Sequence, residues 1–205
     1  MCGIAGLVTR DGRPPDPGTL DALAKALAHR GPDGQGRHVA GGTGLVQTRL
    51  AIIDLVTGDQ PLYEPGGAAL VGNGEIYNYR ELKADLPGQA FATQSDCEPP
   101  LHLWRQAGLA FATRLRGMYA LAIHDPVADR LALARDPFGI KPLYYAETAQ
   151  GFAFASEAQA LLAAGLVERR EHAGKRDELL ALQFTTGAET IFQGIKRLLP
   201  GETVA

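Results

Sequence analysis

Short apolar runs separated by glycine, proline and aspartate dominate the chain. GIAGLV (3–8), GLVQTRLAII (44–53), AALV (68–71), MYALAI (118–123), RLALA (130–134), PLYYAE (142–147) and GFAFAS (151–156) have the length and content of strands. The last four follow one another across turn-rich gaps such as HDPVAD, a spacing that predicts an antiparallel meander rather than parallel strands joined by helices. A helical period appears in TLDALAKALAHR, where Leu20, Leu23, Ala24 and Leu27 share a face, and in PPLHLWRQAGLAFATRL, which opens with proline where a helix tolerates it. Shorter helices are expected at YRELKADL and SEAQALLAAG, whereas AGLVERREHAGKRDEL (164–179), the most charged stretch, reads as a solvated connector. Each sheet must bury a face and each helix must cover something. The pattern therefore predicts two packed sheets with helices outside, an α+β arrangement.

Composition narrows the function classes more than the fold. With 205 residues, 45% apolar, 21% charged and a net charge of −3, the chain reads as an ordinary globular protein. Its positive charges are scattered, so no nucleic-acid partner is expected, and no apolar run approaches the ~20 residues that span a bilayer, so neither is a membrane. The N-terminus has no basic segment followed by an apolar one, which points to the cytoplasm. Cys2 and Cys97 form neither a metal-ligand spacing nor a disulfide framework, which suits a reducing compartment. The five histidines, at 29, 38, 102, 124 and 172, contain no H-x-x-x-H pair, and no metal site is expected.

The opening MCGIAG places a cysteine directly after the initiator methionine. Removal of Met1 would give Cys2 both a thiol and a free α-amine, a nucleophile and a base in one residue. HRGPDG (29–34), RLAIIDL (49–55), NGEIYNY (73–79), SDCE (95–98) and ARDPFGIKPLYY (134–145) also stand out. Taken singly, Asn73-Gly74 reads as a tight hairpin turn, Arg49 as a surface charge ending a strand and Asp96 as a helix-start residue. In their order, from residue 2 to about residue 200, these motifs resemble the glutaminase domain of asparagine synthetase and related class II glutamine amidotransferases, which are N-terminal-nucleophile hydrolases.

The resemblance implies a four-layer αββα sandwich filling residues 1–205 and hydrolysis of glutamine to glutamate and ammonia. Cys2 is then the processed nucleophile, with its own α-amine, about one-third unprotonated at pH 7.5, as base. Asn73 and the Gly74 N–H form the oxyanion hole. Arg49 matches the substrate carboxylate and Asp96 its ammonium, with Leu50, Ala51, Ile52 and Ile53 lining the pocket and Glu75 assisting at the amino end. Arg30 and the ARDPFGIKPLYY stretch are expected to brace the nucleophile's surroundings or the edge of an ammonia exit. Two departures stand out: Gln47 and Thr48 replace the usual pair before RLAIID, and Pro99 and Pro100 follow SDCE. Ser95 and Glu98 have capping-box spacing, but the prolines move the expected helix start to Pro99 and leave the placement of Asp96 in question.

No S-G-G-x-D-S loop for gripping the pyrophosphate of ATP occurs, and the sequence stops at LLPGETVA where a synthetase half would begin. The expected partner is therefore an ATP-dependent synthetase, as a further domain or a separate subunit. No cofactor is expected in this chain, since ATP and Mg belong to that absent half, and a homodimer is left open. Two other readings stay open: a non-catalytic glutamine-binding regulatory module, and an N-terminal-nucleophile hydrolase of another amide.

Overall fold

A computed structural model describes residues 1–205. One sheet holds six strands, in spatial order β10 (Lys196–Arg197), β8 (Tyr144–Glu147), β9 (Gly151–Ala155), β1 (Gly3–Thr9), β3 (Thr43–Arg49) and β2 (Gly34–Ala40). The other holds five, β11 (Thr203–Val204), β7 (Arg130–Arg135), β6 (Gly117–Asp125), β5 (Ala69–Ile76) and β4 (Leu62–Tyr63). Neighbouring strands pair antiparallel in both sheets.

The two-residue side-chain period of a strand sorts the core into three layers. Ile4, Leu45, Val71, Ala120, Ala122 and Phe154 meet between the sheets. Intervening positions point outward. Ala5, Leu7 and Val46 pack under α1 (Pro17–Leu27) and α4 (Ala158–Ala163). Leu70, Leu121 and Ile123 pack under α2 (Tyr79–Ala84) and α3 (Glu98–Ala107). The order is helix, sheet, sheet, helix, the αββα sandwich. Helix α1 starts where Asp16 accepts the Thr19 N–H at 2.8 Å and Pro17 needs no N–H of its own, and it buries the expected face of Leu20, Leu23, Ala24 and Leu27.

Three expectations need correction, and one strand carries no mark in the sequence. The run 44–53 is a strand only as far as Arg49, because the next residues turn into the loop that borders the site. The last four strands are not one meander. β6 pairs with β7 and β8 with β9, yet the chain crosses from one sheet to the other between them. Turn spacing fixes hairpins and carries no information about which sheet a hairpin joins. Strand β2, GQGRHVA, buries none of its residues fully, and no apolar alternation marks it in the sequence. The charged connector is half helix: α5 (Ala173–Leu182) buries none of its residues, so it has no apolar face to read.

Candidate active site

The interior-facing parity of Ile4 also applies to Cys2, that of Leu45 to Gln47 and Arg49, and that of Val71 to Asn73 and Glu75. At this end of the sandwich the sheets gape, and those polar positions line one cavity with Leu50, Ile52, Ile53, Gly74 and Asp96. Ala51 alone among the expected residues is not in the wall; its N–H donates to Asp33 Oδ2 at 2.9 Å.

The HRGPDG motif acts through one close backbone approach and two side chains. Gly31 lies so close to β3 that a Cβ there would sit 2.3 Å from the Thr48 carbonyl carbon, and Asp33 then anchors the loop after Arg49 through Ala51. Arg30 donates through Nε to the Cys2 carbonyl at 3.0 Å and through Nη1 to Glu157 at 2.6 Å, fixing the residue that carries the thiol. Of the two alternatives for Arg30, the brace is the one this geometry carries. Cys2 Sγ itself rests against Leu50, whose N–H points to it at 3.4 Å.

Asn73-Gly74 is not a turn. Both residues lie within β5, paired with Ala120 and Tyr119 of β6. A Cβ on Gly74 would come within 2.2 Å of the Met118 carbonyl oxygen, so close strand packing alone requires glycine. On the far edge of β5, Gly72 N–H donates to Gln60 Oε1 at 2.6 Å and Ile76 N–H to Asp96 Oδ2 at 2.7 Å. The Gly74 N–H lies midway and by the same two-residue period points the same way. It has no strand to meet there, because β4 pairs only with Ala69 and Leu70. Beside it, the buried Asn73 Nδ2 has no partner, and neither does Gln47 Nε2. Leaving such a donor unpaired costs about 1–3 kcal/mol, a cost removed when an acceptor enters.

The cavity wall also carries charge. Burial, reinforced by neighbouring Glu75, raises the Asp96 carboxyl above its ordinary range, although the Ile76 N–H favours the ionised form. Pro99 and Pro100 sit in the first turn of α3, where N–H groups have no intrahelical partner, so they leave Asp96 in place on the cavity wall. The helix begins at Glu98, and no capping box forms. Glu98 turns back to accept the Ala92 and Thr93 N–H groups at 2.6 and 2.8 Å, while Ser95 Oγ accepts from Cys97 N. The Arg49 guanidinium is engaged by Asp59 at 2.6 Å and by the carbonyl oxygens of Ile53 and Asp54.

Cys97 reaches the same cavity but is chemically quiet. Burial first, then the negative groups of Asp96, Cys2 and Glu75, push its thiol well up, so it stays protonated. Among residues the sequence reading did not place here, Lys141 is the most informative. The loop after β7 is pinned by Asp136, which accepts the N–H groups of Ile140 and Lys141 at 3.0 Å, and by Arg135, which donates to the carbonyl oxygens of Gly139 and Lys141. This is the ARDPFGIKPLYY stretch. Its scaffold delivers the Lys141 side chain to the cavity beside Cys2. No helix is long and apolar enough to cross a membrane.

Residues 1–205 match the glutamine amidotransferase domain family. Asparagine synthetase [glutamine-hydrolyzing] 2 of Bacillus subtilis is 42% identical over 165 residues, covering 78% of this chain and 22% of that protein. Amidase chry2 of Gibberella zeae is 36% identical over 216 residues, covering 98% of this chain and 32% of that protein. This chain thus spans about a fifth to a third of the length of such relatives. Among solved structures, a glutamine phosphoribosylpyrophosphate amidotransferase from B. subtilis superposes with a TM-score of 0.65 at 25% identity, covering 80% of this chain and 44% of that one. The match over residues 1–205 and the sandwich shared with a solved amidotransferase lead to one conclusion: the chain belongs to the glutamine amidotransferase domain family, a family of enzymes.

Proposed function

We propose that this chain, once Met1 is removed, hydrolyses glutamine to glutamate and ammonia through a Cys2 glutamyl thioester. The observation that carries the reading is the pair of unpartnered donors, Asn73 Nδ2 and the Gly74 N–H, in one cavity with the Cys2 thiol. Such donors suit an oxygen that becomes negative only after attack. The Cys2 thiol loses its proton to the α-amine of the same residue, and sulfur bonds to the amide carbon. The carbon–nitrogen bond then breaks as the amine returns the proton to departing ammonia. Water, deprotonated by the same amine, cleaves the thioester, and the thiol is restored. Asp96 and Glu75 receive the substrate ammonium and Arg49 its carboxylate, with Leu50, Ile52 and Ile53 closing the side.

The ammonia is passed to an ATP-dependent synthetase part, as a further domain or a docked subunit, in the cytoplasm. The support is that asparagine synthetases described as glutamine-hydrolysing match this chain over only a minor share of their length. No cofactor is needed for the glutamine half, because thiol, amine and donors balance every proton. The nitrogen acceptor is left undefined by a relative named an amidase rather than a synthetase. The test is turnover of glutamine, asparagine and a longer acyl amide by Met1-free protein. Glutamine alone should be hydrolysed. Equal turnover of the longer amide would favour a hydrolase of another substrate, and tight glutamine binding without turnover a regulatory module.

Arg49 gives a second prediction. Its Asp59 partner is 82% exposed while the guanidinium is 8% exposed, so the incoming carboxylate must compete with Asp59 for the fork. With its carboxylate in solvent, the pair contributes about 1 kcal/mol at most. Asp59→Ala should therefore lower the glutamine KM by up to about fivefold with kcat unchanged; a raised KM would mean that Asp59 orients Arg49 rather than occupying it.

A further inference from the structure

We propose that Asp54 is a positioning residue that fixes the spacing between the two charge sites of the cavity, so that a substrate whose carboxylate and ammonium share one carbon is held by both ends at once. The inference rests on the reading of Arg49 as the carboxylate site and Asp96 as the ammonium site. Those residues come from different parts of the chain. Arg49 ends β3 and opens the loop 50–61, whereas Asp96 lies in the segment between α2 and α3. Asp54 bonds to both. Its carbonyl oxygen accepts from Arg49 Nη2 at 2.5 Å, and its Oδ2 accepts from the Gln94 N–H, two residues before Asp96, at 2.8 Å. The latter is the single hydrogen bond between residues 50–61 and 89–97.

Apolar burial does little to hold this loop. Ile52, Leu55 and Val56 are all exposed, so its position depends on polar ties such as Ala51 N–H to Asp33 and the bonds of Asp54. Asp54 has a φ of +52°, in the left-handed region that a residue with a side chain seldom occupies. It is kept there by its own turn: Oδ1 accepts the Thr57 N–H at 2.9 Å, and the carbonyl oxygen accepts the Gly58 N–H at 3.1 Å. Desolvation pushes its carboxyl up, but the Thr57 and Gln94 donors outweigh that and hold it below its ordinary range, so the acceptor is ionised at neutral pH. The consequence for binding is one of order. With the link in place the two charge sites are set before substrate arrives. Without it, a substrate caught at one end must itself order the segment that meets its other end, and that cost is taken from binding. Once both ends are engaged the complex is the same, so the chemical step is unaffected. A ligand with one charge engages one segment and gains nothing from the link.

The experiment compares Met1-free wild type, Asp54→Gly and Thr57→Val, each checked for cooperative melting, on glutamine and on two amides with one end removed: glutaramate, which lacks the ammonium, and 4-aminobutanamide, which lacks the α-carboxylate. Glycine accepts the left-handed backbone without strain, so Asp54→Gly removes the carboxylate link alone. Thr57→Val removes the hydroxyl bonded to the same carboxylate and leaves the bond to Gln94. Asp54→Gly should raise the glutamine KM about tenfold while kcat stays within about twofold. On either one-ended amide its kcat/KM should change by less than about twofold, and Thr57→Val should match wild type throughout. If an analogue is not turned over, its competitive inhibition of glutamine hydrolysis gives the same comparison. An equal loss on all three amides, a fall in kcat with KM unmoved, or the same rise of KM in Thr57→Val overturns the proposal by showing that Asp54 only shapes its own loop. Should Asp54→Gly not fold, Asp54→Ser, whose side chain is too short to reach Gln94, is read in the same way. Absence of glutamine turnover by the wild type would instead defeat the functional reading, a different failure from a KM that does not move in an active protein.

Discussion

Cys2→Ala binds glutamine and does not turn it over. The substitution removes Sγ from the cavity but leaves Arg49, Asp96 and the free donors at Asn73 and Gly74 in place, so the substrate's charged end loses nothing. Removal of a nucleophile costs about 10⁴-fold or more in kcat elsewhere, and no second group here can substitute for it. Cys97 is the only other thiol, and its burial among negative neighbours keeps it protonated. Calorimetric titration with glutamine, beside steady-state ammonia release, reads binding and turnover separately. Cys97→Ala in the same assays should stay active. A dead Cys97→Ala with an active Cys2→Ala would reverse the assignment of the nucleophile.

Asn73→Ala should lower kcat by about 10²–10³-fold with little change in KM. The amide nitrogen is buried and unpartnered in the free protein, and in the proposed reaction its first acceptor is the oxygen that turns negative when sulfur attacks. An interaction made only after attack lowers the barrier without tightening substrate binding. The backbone donor at Gly74 remains in the variant, which is why the loss is partial and not total. Gly74→Ala is the poorer experiment: its methyl group would meet Met118 and Tyr119 backbone at 2.2 and 2.6 Å, so β5 would shift and the two effects would mix. A raised KM with unchanged kcat in Asn73→Ala would instead place this side chain on the ground-state substrate.

The sequence by itself determined the layers and named most of the side chains that meet in the cavity. Alternating apolar runs specify strands because side chains alternate between faces, and the Leu20, Leu23, Ala24 and Leu27 face specifies a covering helix. Residue order put Cys2 directly after Met1, the position at which removal of the methionine would give a thiol its own α-amine. Tertiary structure decided what local rules cannot encode. Asn73-Gly74 became strand rather than turn because β6 pairs with every residue from Ala69 to Ile76, and that long-range pairing outweighs the local turn preference of the dipeptide. The hairpins β6–β7 and β8–β9 joined different sheets because the interior apolar faces, and not the gap between them, choose the partner. Arg49 proved to be held by a loop aspartate ten residues on, and Lys141 to lie beside residue 1, because both contacts depend on how two sheets gape at one end. Side-chain type is written in the chain; which groups end up without a partner is settled only when the distant strands have closed around them.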